Sequence, residues 1–159
     1  MKNDLFDPAT GACIGLNLRQ ASRLITSFYD RHMEPSGLKL TQFGLLFSVG
    51  DMEKPTINEL ADRLELDRTT LSRNLKPLER EGWIKVTPGE DKRVRTLTLT
   101  PDGAEVLARA RPCWEQAQHE AVEIFGRYNW LTMKDRLDSA NREIKEILTP
   151  SGETSEAAE

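Results

Sequence analysis

The chain has 159 residues, 38% of them hydrophobic and 30% charged, with a formal net charge of −4; that length carries one domain with a real core and does not comfortably divide into two. No apolar run approaches the roughly 18 residues that a membrane-spanning helix requires, and residues 1–16 lack the basic segment and apolar stretch of a secretion signal, so no membrane association and a cytoplasmic location are expected. Cys13 and Cys113 are the only cysteines and His32 and His119 the only histidines, which excludes a disulfide-dense scaffold and, with no His-Glu-x-x-His pair or glycine-rich phosphate loop, leaves no metal site and no cofactor to expect.

Ile14, Leu18, Ala21, Ile25 and Phe28 recur at steps of four and three, with Leu24 beside them, so a first amphipathic helix is predicted over 14–33. Pro35, Ser36 and Gly37 break it, and Thr41 is placed to cap a second helix that carries Phe43, Leu46 and Phe47 to Gly50. Pro55 and the box Thr56-x-x-Glu59 open a short third helix, which should bury Ile57, Leu60, Ala61 and Leu64. Asp67 is placed to cap the next helix, in which Leu71, Leu75 and Leu78 stand at i, i+4 and i+7 and must face the core. At 100° per residue the opposite face presents Thr69, Thr70, Arg73 and Lys76, with no carboxylate before Glu79. Pro77 removes one intrahelical hydrogen bond and is expected to bend the helix beyond that face.

Gly82 ends this helix, and the register then changes. Residues 83–87 and 94–100 read as two strands, joined by the charged turn Pro88-Gly89-Glu90-Asp91-Lys92-Arg93. From Pro101 a long helix places Leu107, Ala110, Trp114, Ala117, Ala121 and Ile124 on a heptad-like seam, with a kink expected at Pro112. A turn around Gly126 and Asn129 leads to a last helix with Trp130, Met133, Leu137, Ala140, Ile144 and Ile147 on one side. Residues 151–159 are polar and acidic and are expected to be a disordered tail.

The expected fold class is mainly α with a small β-hairpin wing: a winged helix-turn-helix with a helical dimerisation region. One domain is expected over 1–150, with a DNA-binding lobe at 41–100. The helices at 14–33 and 102–148 have more apolar face than so small a lobe can cover, and self-association is the economical explanation. Charge distribution bears on the partner more than the net value does. Between Asp67 and Arg95 there are eight bases against five acids. Two short helices with a tight turn, the second exposing hydroxyls and bases and followed by a basic hairpin, suit double-stranded DNA. The major groove admits one helix, whose Arg side chains can bond guanine O6 and N7. The narrower minor groove attracts an Arg at a hairpin tip. Arg68, Thr69, Thr70, Ser72, Arg73, Asn74 and Lys76 are the candidate contacts on the helix, and Asp91, Lys92, Arg93 and Arg95 those on the hairpin. Lys76 and Arg95 suit phosphate better than base edges.

At these residues the sequence resembles the MarR (multiple antibiotic resistance regulator) family, over roughly residues 14–148. The most specific match is the wing, where Asp91-x-Arg93 is followed after five residues by Leu99-Thr100-Pro101-x-Gly103, similar to the family's D-x-R...L-T-x-x-G signature. Leu60-Ala61 to Leu66, Asp67 through Leu75, and Leu78-Glu79-Arg80-Glu81-Gly82-Trp83 are similar to its turn and recognition helix, although Trp83 replaces a more usual small aliphatic residue and Pro77 occurs in only part of the family. The resemblance implies a homodimer in which the first helix and the last two interlock. It also implies a repressor that leaves its inverted-repeat operator when a small aromatic or phenolic effector binds between the dimer helices and the DNA-binding lobe. Asp91 would orient the Arg93 guanidinium through a bidentate pair.

For the remaining candidates two readings stand side by side. His32 is an effector contact or a cation at a helix C-terminus, and Phe43 and Phe47 line an effector pocket or belong to the core. The resemblance extends to regulators that sense peroxide through thiols, so Cys13 and Cys113 are either a redox pair meeting across subunits or incidental thiols. Cys13 has no recognisable activating neighbour, which argues against a thiol enzyme.

Overall fold

The computed structural model describes residues 11–89 and 94–148. Their order is α1 (Ile14–Met33), a 3-10 turn at Glu34–Ser36, α2 (Leu40–Asp51), α3 (Ile57–Arg63), α4 (Arg68–Arg80), β1 (Ile84–Pro88), β2 (Arg95–Leu99), α5 (Pro101–Phe125) and α6 (Arg127–Leu148). Mainly helical with one antiparallel hairpin, this is the winged helix-turn-helix expected. The expected acidic tail lies outside the described residues. The chain divides into two compact units, one ending at Gln118 and the other beginning at His119.

In the first unit, local chemistry sets most helix ends. Thr56 and Glu59 form the reciprocal box, the Glu59 N–H donating to Thr56 Oγ1 at 3.1 Å and the Thr56 N–H to Glu59 Oε2 at 2.7 Å. Asp67 caps α4 by accepting the Thr70 N–H at 2.8 Å. The second helix departs from expectation. It begins at Leu40 rather than being capped by Thr41, because Asp30 of α1 reaches across to accept the Leu40 N–H at 2.8 Å while Gln42 Oε1 accepts the Lys39 N–H at 3.0 Å.

The core lies where α2, α3, α4, the hairpin and the start of α5 meet. Leu46, Leu60, Leu71, Leu78 and Leu97 are fully buried there, with Met33, Leu38 and Val49. The seam read on α5 is thus partly intramolecular. Leu107, Cys113 and Trp114 pack against this core and Ala110 is inside it. α5 is assigned as one helix through Pro112. On α1 the buried positions are Tyr29 and Met33, whereas Ile14, Leu18 and Leu24 of the apolar stripe stay exposed, Ile14 at 75%.

The hairpin pairs Ile84 with Leu99, Val86 with Leu97 and Pro88 with Arg95. One connection was not legible locally. Thr56 forms an isolated antiparallel bridge with Thr96, and the Leu97 N–H donates to the Pro55 carbonyl at 2.8 Å, so the start of α3 is pinned to the wing.

In the second unit, Phe125 packs on Trp130, their ring centroids 6.1 Å apart. α6 buries no residue, and Ile144, Ile147 and Leu148 lie exposed along it. No described helix is long and apolar enough to cross a membrane.

Candidate nucleic-acid interface

Helix α4 owes its orientation to three leucines. Leu71, Leu75 and Leu78 are buried on one side, and burying three such side chains contributes on the order of 1.5–3 kcal/mol each, so the opposite face must point to solvent. That face carries Arg68, Thr69, Ser72, Arg73 and Lys76, which together line one open depression. Three cations and two hydroxyls converge there without a carboxylate. Asn74 is half-buried and is not among the residues that line the depression.

Thr70 is also half-buried and serves the cap. Hydrogen bonds from the Thr70 side chain and then from its backbone N–H hold the Asp67 carboxyl below the usual aspartate range. A bond from the Thr56 backbone, followed by one from its side chain, lowers Glu59 in the same way. Both helices of the helix-turn-helix are thus fixed at their N-termini by ionised carboxylates.

The turn between α3 and α4 is closed by the Leu66 N–H on the Ala61 carbonyl at 3.0 Å, with Glu65 left-handed at φ 50°. At the other end of α4 the Trp83 N–H reaches the Leu78 carbonyl at 2.9 Å and Gly82 takes φ 73°. Pro77 does not interrupt the helix, which runs on to Arg80, and the Glu81 N–H still reaches the Pro77 carbonyl at 3.0 Å. In the wing, Arg95 is exposed at the start of β2. Asp91, Lys92 and Arg93, the tip on which the wing contacts depend, lie outside the described residues.

The other candidates are dispersed. Phe43 is buried and stacks on Trp114 at 5.7 Å and on the more exposed Phe47 at 6.5 Å. His32 packs against Phe28, with ring centroids 4.5 Å apart, and its Nδ1 lies 3.0 Å from the Phe28 carbonyl oxygen in the last turn of α1. Cys13 is exposed at the start of α1 and Cys113 half-buried in α5. Sequence reasoning did not single out Thr100. Its hydroxyl donates to the Gly82 carbonyl at 2.7 Å and accepts the Gly103 N–H at 3.0 Å. The Leu-Thr-x-x-Gly run was the available signal, and it shows which residues matter without showing what they touch.

Comparison with known proteins agrees with this geometry. A model of the MarR family matches residues 36–94. The Mycobacterium tuberculosis transcriptional regulator MosR, solved in complex with DNA, superimposes with a TM-score of 0.78 at 32% identity, over 86% of this chain and 99% of that one. SarZ of Staphylococcus haemolyticus, a helix-turn-helix transcriptional regulator, is 30% identical over 80% of this chain and 82% of its own length. YwoH of Bacillus subtilis, described in the same terms, is 32% identical over 85 residues, and the chain spans 62% of its length.

Proposed function

The chain belongs to the MarR family of transcription regulators and is not an enzyme, and from that premise we propose that it binds an inverted-repeat operator in duplex DNA as a homodimer and represses transcription until a small effector releases it. One observation carries the reading: the exposed face of α4 gathers Arg68, Thr69, Ser72, Arg73 and Lys76 on one depression with no acid among them. A helix of this width enters the major groove. There Arg73 offers a fork of donors to a guanine edge, while Lys76 and Arg95 supply charge to phosphates. Arg93, with Asp91 as its partner, is assigned to the minor groove on its sequence pattern, and Lys92 adds charge beside it.

The homodimer rests on apolar side chains that the chain leaves in solvent. Ile14, Leu18 and Leu24 of α1 and Leu131, Ile144 and Ile147 of α6 are all exposed, and large apolar side chains left in solvent on each of two helices suit association. The small aromatic or phenolic effector is assigned to the neighbourhood of Phe47, which is partly exposed beside the stacked Phe43 and Trp114 rings. Action on DNA gives the protein a cytoplasmic site of work.

Selection from a random duplex pool tests the reading. Recovered sequences should share an inverted repeat with half-sites about 10 bp apart, and light scattering should find two chains per duplex. A pool left unenriched, or one chain bound per duplex to a site with no repeat, would contradict it.

A further inference from the structure

Two carbonyls at the end of α4 and the first turn of α5 meet around one hydroxyl. The Thr100 Oγ1 donates to the Gly82 carbonyl at 2.7 Å and lies 3.1 Å from the Trp83 carbonyl oxygen, and it accepts the Gly103 N–H at 3.0 Å. The Thr100 N–H adds a bond to the Trp83 carbonyl at 3.0 Å. Gly103 completes the joint by having no side chain. A Cβ there would stand 2.0 Å from the Trp83 carbonyl oxygen and 2.9 Å from Leu99 Cδ1, closer than any real contact. Gly82 is held left-handed at the C-terminal stop of α4. The segment that closes α4 is therefore joined to the N-terminus of α5 by one hydroxyl and one backbone N–H, both supplied by Thr100.

The far end of the same stretch of α5 is tied as well. The Tyr29 hydroxyl donates to Gln118 Oε1 at 2.5 Å, joining α1, which carries the exposed Ile14, Leu18 and Leu24, to α5. Within the first unit a hydrogen-bonded route thus runs from α1 through α5 to α4.

We propose that Thr100 is a positioning residue for DNA recognition: its hydroxyl fixes the direction of α4 against α5, so that the dimer presents its two reading helices at one half-site separation. The inference rests on the dimeric, DNA-binding reading above. Thr100 touches no base or phosphate in this account and acts only through the α4 backbone. A methyl in place of the hydroxyl keeps the side-chain volume but leaves the Gly82 carbonyl and the Gly103 N–H without that partner. The direction of α4 then becomes less sharply defined.

The test uses the full chain and the duplex it selects from the random pool, together with versions of that duplex carrying one base pair more or one fewer between half-sites. Thr100→Val should lose about tenfold in affinity for the selected spacing and discriminate less against the altered spacings. Thr100→Ser, which keeps the hydroxyl, should restore both. Uniform destabilisation lowers binding to all three duplexes alike, so the ratio between spacings isolates positioning from stability. Should Thr100→Val not fold, Thr100→Ala, which lacks the hydroxyl and adds no methyl group beside the carbonyls, is read on the same ratio and should blunt it. A folded Thr100→Val dimer with the parent's spacing ratio would overturn the inference alone. A parent chain that selects no DNA, or binds as a monomer, would overturn the functional reading and this inference with it.

Discussion

Two glycines separate two kinds of constraint at the residue scale. Gly82 has φ 73° and open space where a Cβ would stand, so Gly82→Ala costs only the left-handed backbone of an L-residue, about 1 kcal/mol. At Gly103 the obstacle is the Trp83 carbonyl, 2.0 Å from the missing Cβ. Gly103→Ala must push backbone apart, and a cost of about 3 kcal/mol or more is expected. Urea unfolding of both variants at one fixed protein concentration checks the order, and equal losses would show that the joint yields easily. Arg73 belongs to the same scale. It stands on the solvent side of α4 with the other cations of the depression, and Arg73→Ala should cost about 1–3 kcal/mol on a selected site and relax base preference at one position.

Among the elements, those whose ends are settled within three or four residues were legible in the sequence. The Thr56 and Glu59 box, the Asp67 cap and the three-leucine stripe of α4 are of this kind, and each stands where periodicity and capping chemistry put it. The start of α2 was not legible, because its cap comes from Asp30, ten residues upstream and on another helix. The Thr56 to Thr96 bridge and the Thr100 bonds to Gly82 and Trp83 likewise depend on pairings that only the folded chain creates. The cationic face of α4 was readable because its condition is local: a helix with one apolar side must expose the other. The wing tip at Asp91, Lys92 and Arg93 rests on sequence pattern alone.

The carboxylate caps also give the helix-turn-helix a pH dependence. Asp67 and Glu59 both have folded-state pKa values below their ordinary ones, held there by hydrogen bonds from Thr70 and Thr56. A depressed pKa contributes stability that is present above the unfolded value, near 4, and is lost as pH falls through the folded one. Thermal midpoints should therefore drop as pH is lowered from about 5 to 3. In the Asp67→Asn, Glu59→Gln double variant the caps no longer titrate, so the drop should be shallower. Midpoints of parent and double variant that fall in parallel would assign the acid sensitivity to other groups.

For the whole molecule, the surfaces left apolar matter as much as the core. α6 buries none of its residues within the chain, and α1 covers only the C-terminal part of its apolar stripe. In the dimer proposed above a second copy would cover these helices, which would make association part of the fold as well as of the function. That proposed dimer would place two copies of the α4 face on one side of a duplex, and specificity would follow from the pair rather than from either helix.

The most direct test is an equilibrium titration of the selected duplex and of a scrambled duplex, with the parent chain and with Arg73→Ala, at several salt concentrations. The parent should prefer the selected duplex and bind both DNAs more weakly as salt rises. Arg73→Ala should lose about tenfold or more on the selected duplex, and clearly less on the scrambled one. A parent that binds the two duplexes equally, or an Arg73→Ala chain that binds the selected duplex as tightly as the parent, would contradict the assignment of the α4 face as the surface that reads DNA.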